Sequence, residues 1–140
     1  MKTIKTYFVF LLTFLVIDAI WIVAFAGEFY QQQLTSGLLK TTPDYSLVGV
    51  FYLCYAAGAV YLCVCPAVNS GNALLSGAVF GALAYGTFSI TNYTLIQGWL
   101  MTLVIVDVLW GAFLTAISCL ASYRCYHRRT SHGSELEVSK

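Results

Sequence analysis

FLVIDAIWIV, residues 14–23, sets Asp18 in the middle of a run otherwise suited to hydrocarbon. Either the run does not cross a membrane, or it crosses with a carboxyl inside. The composition decides for crossing. Of the 140 residues 59% are hydrophobic and 9% charged, whereas soluble domains carry about 25% charged residues. The charge gathers at the two ends and in one connection, so the chain reads as a single membrane unit with a short tail.

A span needs about 20 mostly apolar residues, and such windows fall at about 7–26, 46–65, 73–91 and 97–122. The expected fold is therefore all-α: an integral membrane bundle of four transmembrane helices over residues 1–123, followed by a polar, disordered tail over 124–140. The connections around PAVNSGN and TNYTLIQG are short and force antiparallel neighbours. The longer GEFYQQQLTSGLLKTTPDYS holds Phe29, Tyr30, Leu34, Leu38 and Leu39, the apolar side of an expected interfacial helix. Lys2 and Lys5 precede the first span and Arg124, Arg128 and Arg129 follow the fourth, which predicts both termini on the cytoplasmic side of the cell (inner) membrane. Ala24-Phe25-Ala26 resembles a signal cleavage site. The length of the run before it, Asp18 within it, and bulky Trp21 and Ile22 argue against cleavage.

Net charge of +1 gives no reason to expect a nucleic-acid partner. Five cysteines form neither a disulfide framework nor a metal-ligand spacing, and His127 and His132 both lie in the tail. No phosphate loop and no nucleophile–base pairing is present, so the expectation is no enzyme, no catalytic residue, no metal and no cofactor.

The chemistry that remains is carboxylic. Asp18 lies in D-A-I-W at 18–21, and Asp107 in D-V-L-W at 107–110. A three-residue spacing puts acid and indole on one helix face. The two motifs sit on oppositely directed helices at broadly similar depths, so the carboxyls can face one another if those helices pack. A central aspartate costs about 2.5 to 3.5 kcal/mol on insertion scales, against a return of about 0.3 to 0.6 per good apolar residue. The helices still insert, with the acids turned inward. Burial disfavours a carboxyl's charged form, which makes both aspartates candidate proton-binding groups.

No Lys or Arg stands in any expected span, so the partners must be neutral donors. Tyr52 and Tyr55 share a face of the second helix, while Tyr85, Ser89 and Asn92 make a polar stripe on the third. The candidate substrate- or proton-binding residues are thus Asp18, Asp107, Trp21, Trp110, Tyr52, Tyr55, Tyr85 and Asn92. The plainer alternative is that these groups only hydrogen-bond across helices and fix their register, at about 0.6 kcal/mol per bond. Asn92-Tyr93-Thr94 also matches a glycosylation sequon, set too close to the membrane surface for occupancy. Gly77-x-x-x-Gly81, and Ala56 to Ala59 around Gly58, allow close helix approach, either within the bundle or between protomers.

The landmarks I-D-A-I-W at 17–21, F-Y at 29–30, F-Y-L-C-Y at 51–55 with Gly58, Pro66-Ala67, G-A-V-F-G with A-Y-G-T over 77–87, Thr91-Asn92, Trp99 and D-V-L-W-G at 107–111 stand in a recognisable order. Over residues 3–123 the chain resembles a family of small, mostly bacterial, four-span integral membrane proteins described as a domain of unknown function. Where its members often carry an acidic residue after the Tyr-Thr segment, this chain has Phe88-Ser89. The resemblance implies a fold and a location, and no particular activity.

Two functions fit. The first is a proton-linked bundle that binds or transports a small solute or cation on the aspartate pair, in a homo-oligomer. The second is a structural or accessory subunit whose glycine faces dock onto a larger membrane complex. In a third, weaker reading the aromatic outer connection handles lipid. All three share the lipid bilayer as a partner.

Overall fold

The computed structural model describes residues 2–26 and 45–127. Four helices follow in order: α1 (Lys2–Trp21), α2 (Tyr45–Ala59), α3 (Ser70–Leu95) and α4 (Met101–His127). All four are long and apolar enough to span a membrane, with candidate spans of 22, 19, 26 and 27 residues. At 1.5 Å per residue these measure about 29 to 41 Å, enough for a hydrocarbon layer of about 30 Å. The molecule is an all-helical four-span membrane bundle, with no strand among the described residues. The interfacial helix expected in the long connection, and the tail past His127, lie outside the described residues.

The helix ends follow local chemistry. α1 and α2 each finish in a widened turn, over Ile22–Ala26 and Val60–Val64. In the second, Val60 O accepts from Cys65 N at 2.9 Å, five residues on, and Pro66, which lacks an N–H, ends the ladder. Asn69 caps α3, its side chain accepting from Asn72 N at 2.8 Å. α3 runs on to Leu95, four residues past the expected end, so Asn92-Tyr93-Thr94 is helical and not part of a loop. Gly98 makes the following turn with φ 90°, a conformation that suits glycine, and sends Trp99 back over α3. α4 likewise continues through Arg124 to His127, into the stretch expected to be polar tail.

α4 is the centre of the bundle. Half of its span window is buried, against 17%, 33% and 28% for the other three helices. It meets α3 along two facing rows spaced by four residues. Ala73, Gly77, Gly81, Tyr85 and Ser89 stand on α3, and Asp107, Gly111, Thr115 and Cys119 on α4. The fit is backbone to backbone. A Cβ at Gly81 would fall onto the Gly111 carbonyl, and one at Gly77 would lie 2.8 Å from Cys119 Sγ and 3.0 Å from Thr115 O. The glycine pattern of α3 is therefore consumed inside the bundle.

α1 presents its own row to the bundle, Thr6, Phe10, Phe14 and Asp18, all buried. It packs antiparallel to α4. Ser122 Oγ donates to Thr6 O at 2.7 Å near one end, and Trp110 meets Asp18 towards the other. The start of α1 and the end of α4 thus share one end of the bundle. Ile4, Phe8, Leu12 and Ile20 on α1, and Leu109 and Phe113 on α4, are among the large apolar side chains left facing outward, where lipid is their natural neighbour.

Gly81→Ala is expected to cost about 1 to 3 kcal/mol, because its new methyl meets a main-chain carbonyl that cannot swing aside. Gly49→Ala, whose Cβ would meet open space, is expected to be neutral or slightly stabilising. Thermal unfolding of the purified variants in one detergent, followed by circular dichroism, checks the contrast; equal midpoints would refute the backbone seam.

Candidate functional site

Asp18 stands at the last full turn of α1's buried row and is 6% exposed. Tyr52 Oη on α2 donates to Oδ2 at 2.7 Å, and Trp110 Nε1 on α4 donates to Oδ1 at 3.1 Å. One carboxyl therefore joins three helices. Both donors are neutral, and among the described residues the α1 and α4 spans carry no basic side chain beyond Lys5, Arg124 and His127 near their far ends.

The two D-x-x-W motifs interlock. Spacing alone predicts that each acid keeps its own indole beside it. Instead Trp110 reaches across to the acid of the other motif, while Trp21 stacks on Trp110 with centroids 4.4 Å apart and planes 17° off parallel. The cause is reach: a carboxyl on a one-carbon stem stays beside its own backbone, while a long indole crosses to the neighbouring helix. The stack also fixes the register. Each aspartate precedes its tryptophan by three residues on antiparallel helices, so the acids lie on opposite sides of the stacked rings. Six residues at 1.5 Å separate their levels by about 9 Å along the bundle.

Asp107 has its own arrangement at the far end of the α3–α4 seam. It is 7% exposed, and Ser89 Oγ donates to its Oδ2 at 2.6 Å. Trp99 Nε1 donates in turn to Ser89 Oγ at 3.3 Å. This small relay is a product of the fold. The glycine rows bring α3 and α4 close enough for a serine to reach an aspartate, and Gly98 turns Trp99 back onto it.

The other named residues fall around these two centres. Tyr55 is buried beside the first, its hydroxyl 2.7 Å from Thr115 Oγ1, and so is engaged with α4 and not with an acid. Tyr85 lays its ring where a Gly111 side chain would otherwise stand, and meets Tyr55 edge-on at 6.5 Å. Asn92 is half-buried one turn beyond Ser89, and its main-chain carbonyl accepts from Ile96 N at 2.8 Å. Tyr52, Trp21 and Trp110 thus gather at Asp18, and Tyr85 lies between the two centres. Thr115 and Trp99 received no role from sequence alone. Thr115 sits four residues from Gly111 on the seam, which is the signal that marks it. Trp99 follows a glycine at a turn, a weaker mark.

Every buried side-chain nitrogen and oxygen among the described residues has a hydrogen-bond partner. Hydrocarbon makes that necessary, since an unpaired polar group there costs several kcal/mol. The cluster can hold a carboxyl in a fixed orientation by two directed donors, and it can present the rings of Trp21, Trp110 and nearby Phe113 to a ligand. Phe113 lies 5.8 Å from Trp110, centroid to centroid.

Trp110→Phe, which keeps a ring but removes the N–H, is expected to lower stability by about 1 to 3 kcal/mol. In an Asp18→Ala background the same change is expected to cost less, with a coupling of about 0.6 to 1.7 kcal/mol. A double-mutant cycle read by thermal unfolding measures the difference, and additivity would show that the bond across the helices contributes nothing.

No curated protein and no solved structure matches the chain. Residues 3–124 match the family model described as "Predicted membrane protein (DUF2177)". With nearly all of the four-helix bundle inside the match, the chain belongs to this family of membrane proteins of unknown function.

Proposed function

We propose that the bundle binds a small solute or cation in exchange for a proton, with Asp18 as the exchanging group and Asp107 as a second protonatable position. The observation that supports this reading best is a carboxyl with 6% exposure held by two neutral donors, Tyr52 and Trp110, inside a chain whose spans carry no Lys or Arg between Thr6 and Tyr123. A charge there has only dipoles to compensate it. A proton or a bound cation neutralises it better, and two positive species that compete for one negative group are linked by necessity. Tyr52 and Trp110 orient the carboxyl in either state.

A single four-span chain encloses little volume, so this reading takes a homo-oligomer. It also places both termini on the cytoplasmic side of the cell membrane, on the strength of Lys2, Lys5, Arg124, Arg128 and Arg129 at one end. The accessory-subunit reading loses its main support, because Gly77 and Gly81 are already occupied by α4 and are not offered to a partner.

Liposomes with an internal pH dye test the proposal. Under an imposed gradient of an organic or inorganic cation, wild type is expected to move protons. Asp18→Asn is expected to lower that flux by at least about tenfold, since the amide keeps the shape but cannot bind and release a proton as a carboxyl does. Asp107→Asn is expected to have a smaller effect. Flux that is absent from wild type under every gradient, or equal in Asp18→Asn, would refute proton exchange at this site.

A further inference from the structure

Trp110, which bonds Asp18, and Trp21, which stacks on it, have a second role. They form the floor of an open groove of about 260 Å³ whose other lining residues are Val106, Leu109 and Phe113. The groove is cut into the outer surface of the α1–α4 pair, where Leu109 and Phe113 are well exposed, so its natural approach is sideways from the lipid. Its lining is apolar except at the indole edges. A lipid tail would meet nothing there that it does not meet elsewhere on the bundle. One feature sets the groove apart: the indole in its floor donates its N–H to a carboxyl 3.1 Å away.

That hydrogen bond alters what the ring offers. An N–H given to an anionic carboxylate pushes electron density into the indole, and the negative face of the ring becomes a better seat for a positive charge. Trp21 lies stacked on Trp110, and Phe113 is 5.8 Å from Trp110, so three rings line the groove. Asp18 itself stays buried at the edge of Trp110, 3.1 Å from its Nε1, and in a low-dielectric setting a carboxylate charge acts strongly at that range. An apolar, ring-lined recess beside a carboxyl whose donors are both neutral complements one chemistry: a positive centre clothed in hydrocarbon.

We propose that the groove over Trp21 and Trp110 is the binding site for a lipophilic organic ammonium ion, which enters laterally from the bilayer. The selection rests on the rings and on Asp18 together. Inorganic cations are excluded because the lining has no oxygen ligand to replace their water. The proposal deepens the proposed function by naming the class of cation exchanged, and rests on that reading for the exchange, though not for the binding.

The test uses the full chain, purified in a mild detergent, and its intrinsic fluorescence, since two of its three tryptophans line the groove. Benzyltrimethylammonium is the probe, and its uncharged carbon isostere neopentylbenzene is the control. The cation is expected to give a saturable change that the isostere does not match at equal concentration. Asp18→Asn is expected to weaken cation binding by on the order of tenfold, the scale of a desolvated cation–ring contact. Leu109→Trp, which fills the groove from an outward-facing position without touching the carboxyl, is expected to abolish it. Because Asp18→Asn risks misfolding, each variant's helicity and unfolding midpoint are taken first, and Leu109→Trp tests the site independently of the carboxyl.

Cation and isostere binding alike would overturn the role of charge, as would unchanged affinity in a folded Asp18→Asn. Unchanged affinity in Leu109→Trp would overturn the location. Binding as described, without proton flux in liposomes, would leave the site standing and refute the exchange.

Discussion

Hydrocarbon offers a polar group nothing to bond with, and the architecture follows from that one fact. Each helix here is apolar nearly all round, so lipid alone gives it no preferred face to bury. Rotation is chosen instead by what lipid cannot satisfy. α1 turns Thr6 and Asp18 inward, and Phe10 and Phe14, which share their row, become buried with them. Asp18 then draws Tyr52 from α2 and Trp110 from α4, and three helices are oriented by a single side chain. In a soluble protein the same aspartate would sit in water and orient nothing.

α4 works as the axis because it answers its neighbours by two different means. Towards α3 it offers absence of bulk: Gly111 with Thr115 and Cys119 lets the backbones touch, and Ser89 reaches Asp107 only because they do. Towards α1 it offers long or polar side chains, Trp110 at one end and Ser122 at the other. Tyr55 ties α2 to the middle of the same helix through Thr115. Close packing and hydrogen bonding are thus divided by face, and each protects the other: the seam excludes lipid from Asp107, and the bonds prevent the seam from sliding.

Much of this is legible in the residues. Four apolar windows give four helices because length and hydropathy are local properties, and Asp18 stands out because a charge in such a window is expensive wherever the chain goes next. Gly77 and Gly81 announce a close contact, but their partner is not legible, since a pattern on one helix does not name the surface that receives it. The same limit applies to the tryptophans. Spacing puts Trp110 beside Asp107 on one face, and only the register of α1 against α4 reveals that its N–H belongs to Asp18. Helix ends escape the sequence where polar residues stay helical: Asn92 to Leu95 and Arg124 to His127 carry on past the apolar window because helices outlast the hydrocarbon they cross.

The interlocked motifs bear on what the two carboxyls are able to do together. Two acids that share a proton must stand within a hydrogen bond of one another, yet here the stacked rings of Trp21 and Trp110 lie between their levels, and Ser89 holds one while Tyr52 and Trp110 hold the other. On the proposed reading this makes them successive and not simultaneous partners of a proton. Asp107 lies close to the α3–α4 turn, under Trp99, where the surface is near. Asp18 lies deeper, at the edge of Trp110. On that reading the stacked rings, one of which holds Asp18, and Tyr85, which lies between the two centres, are the side chains that any exchange between the two acids has to move.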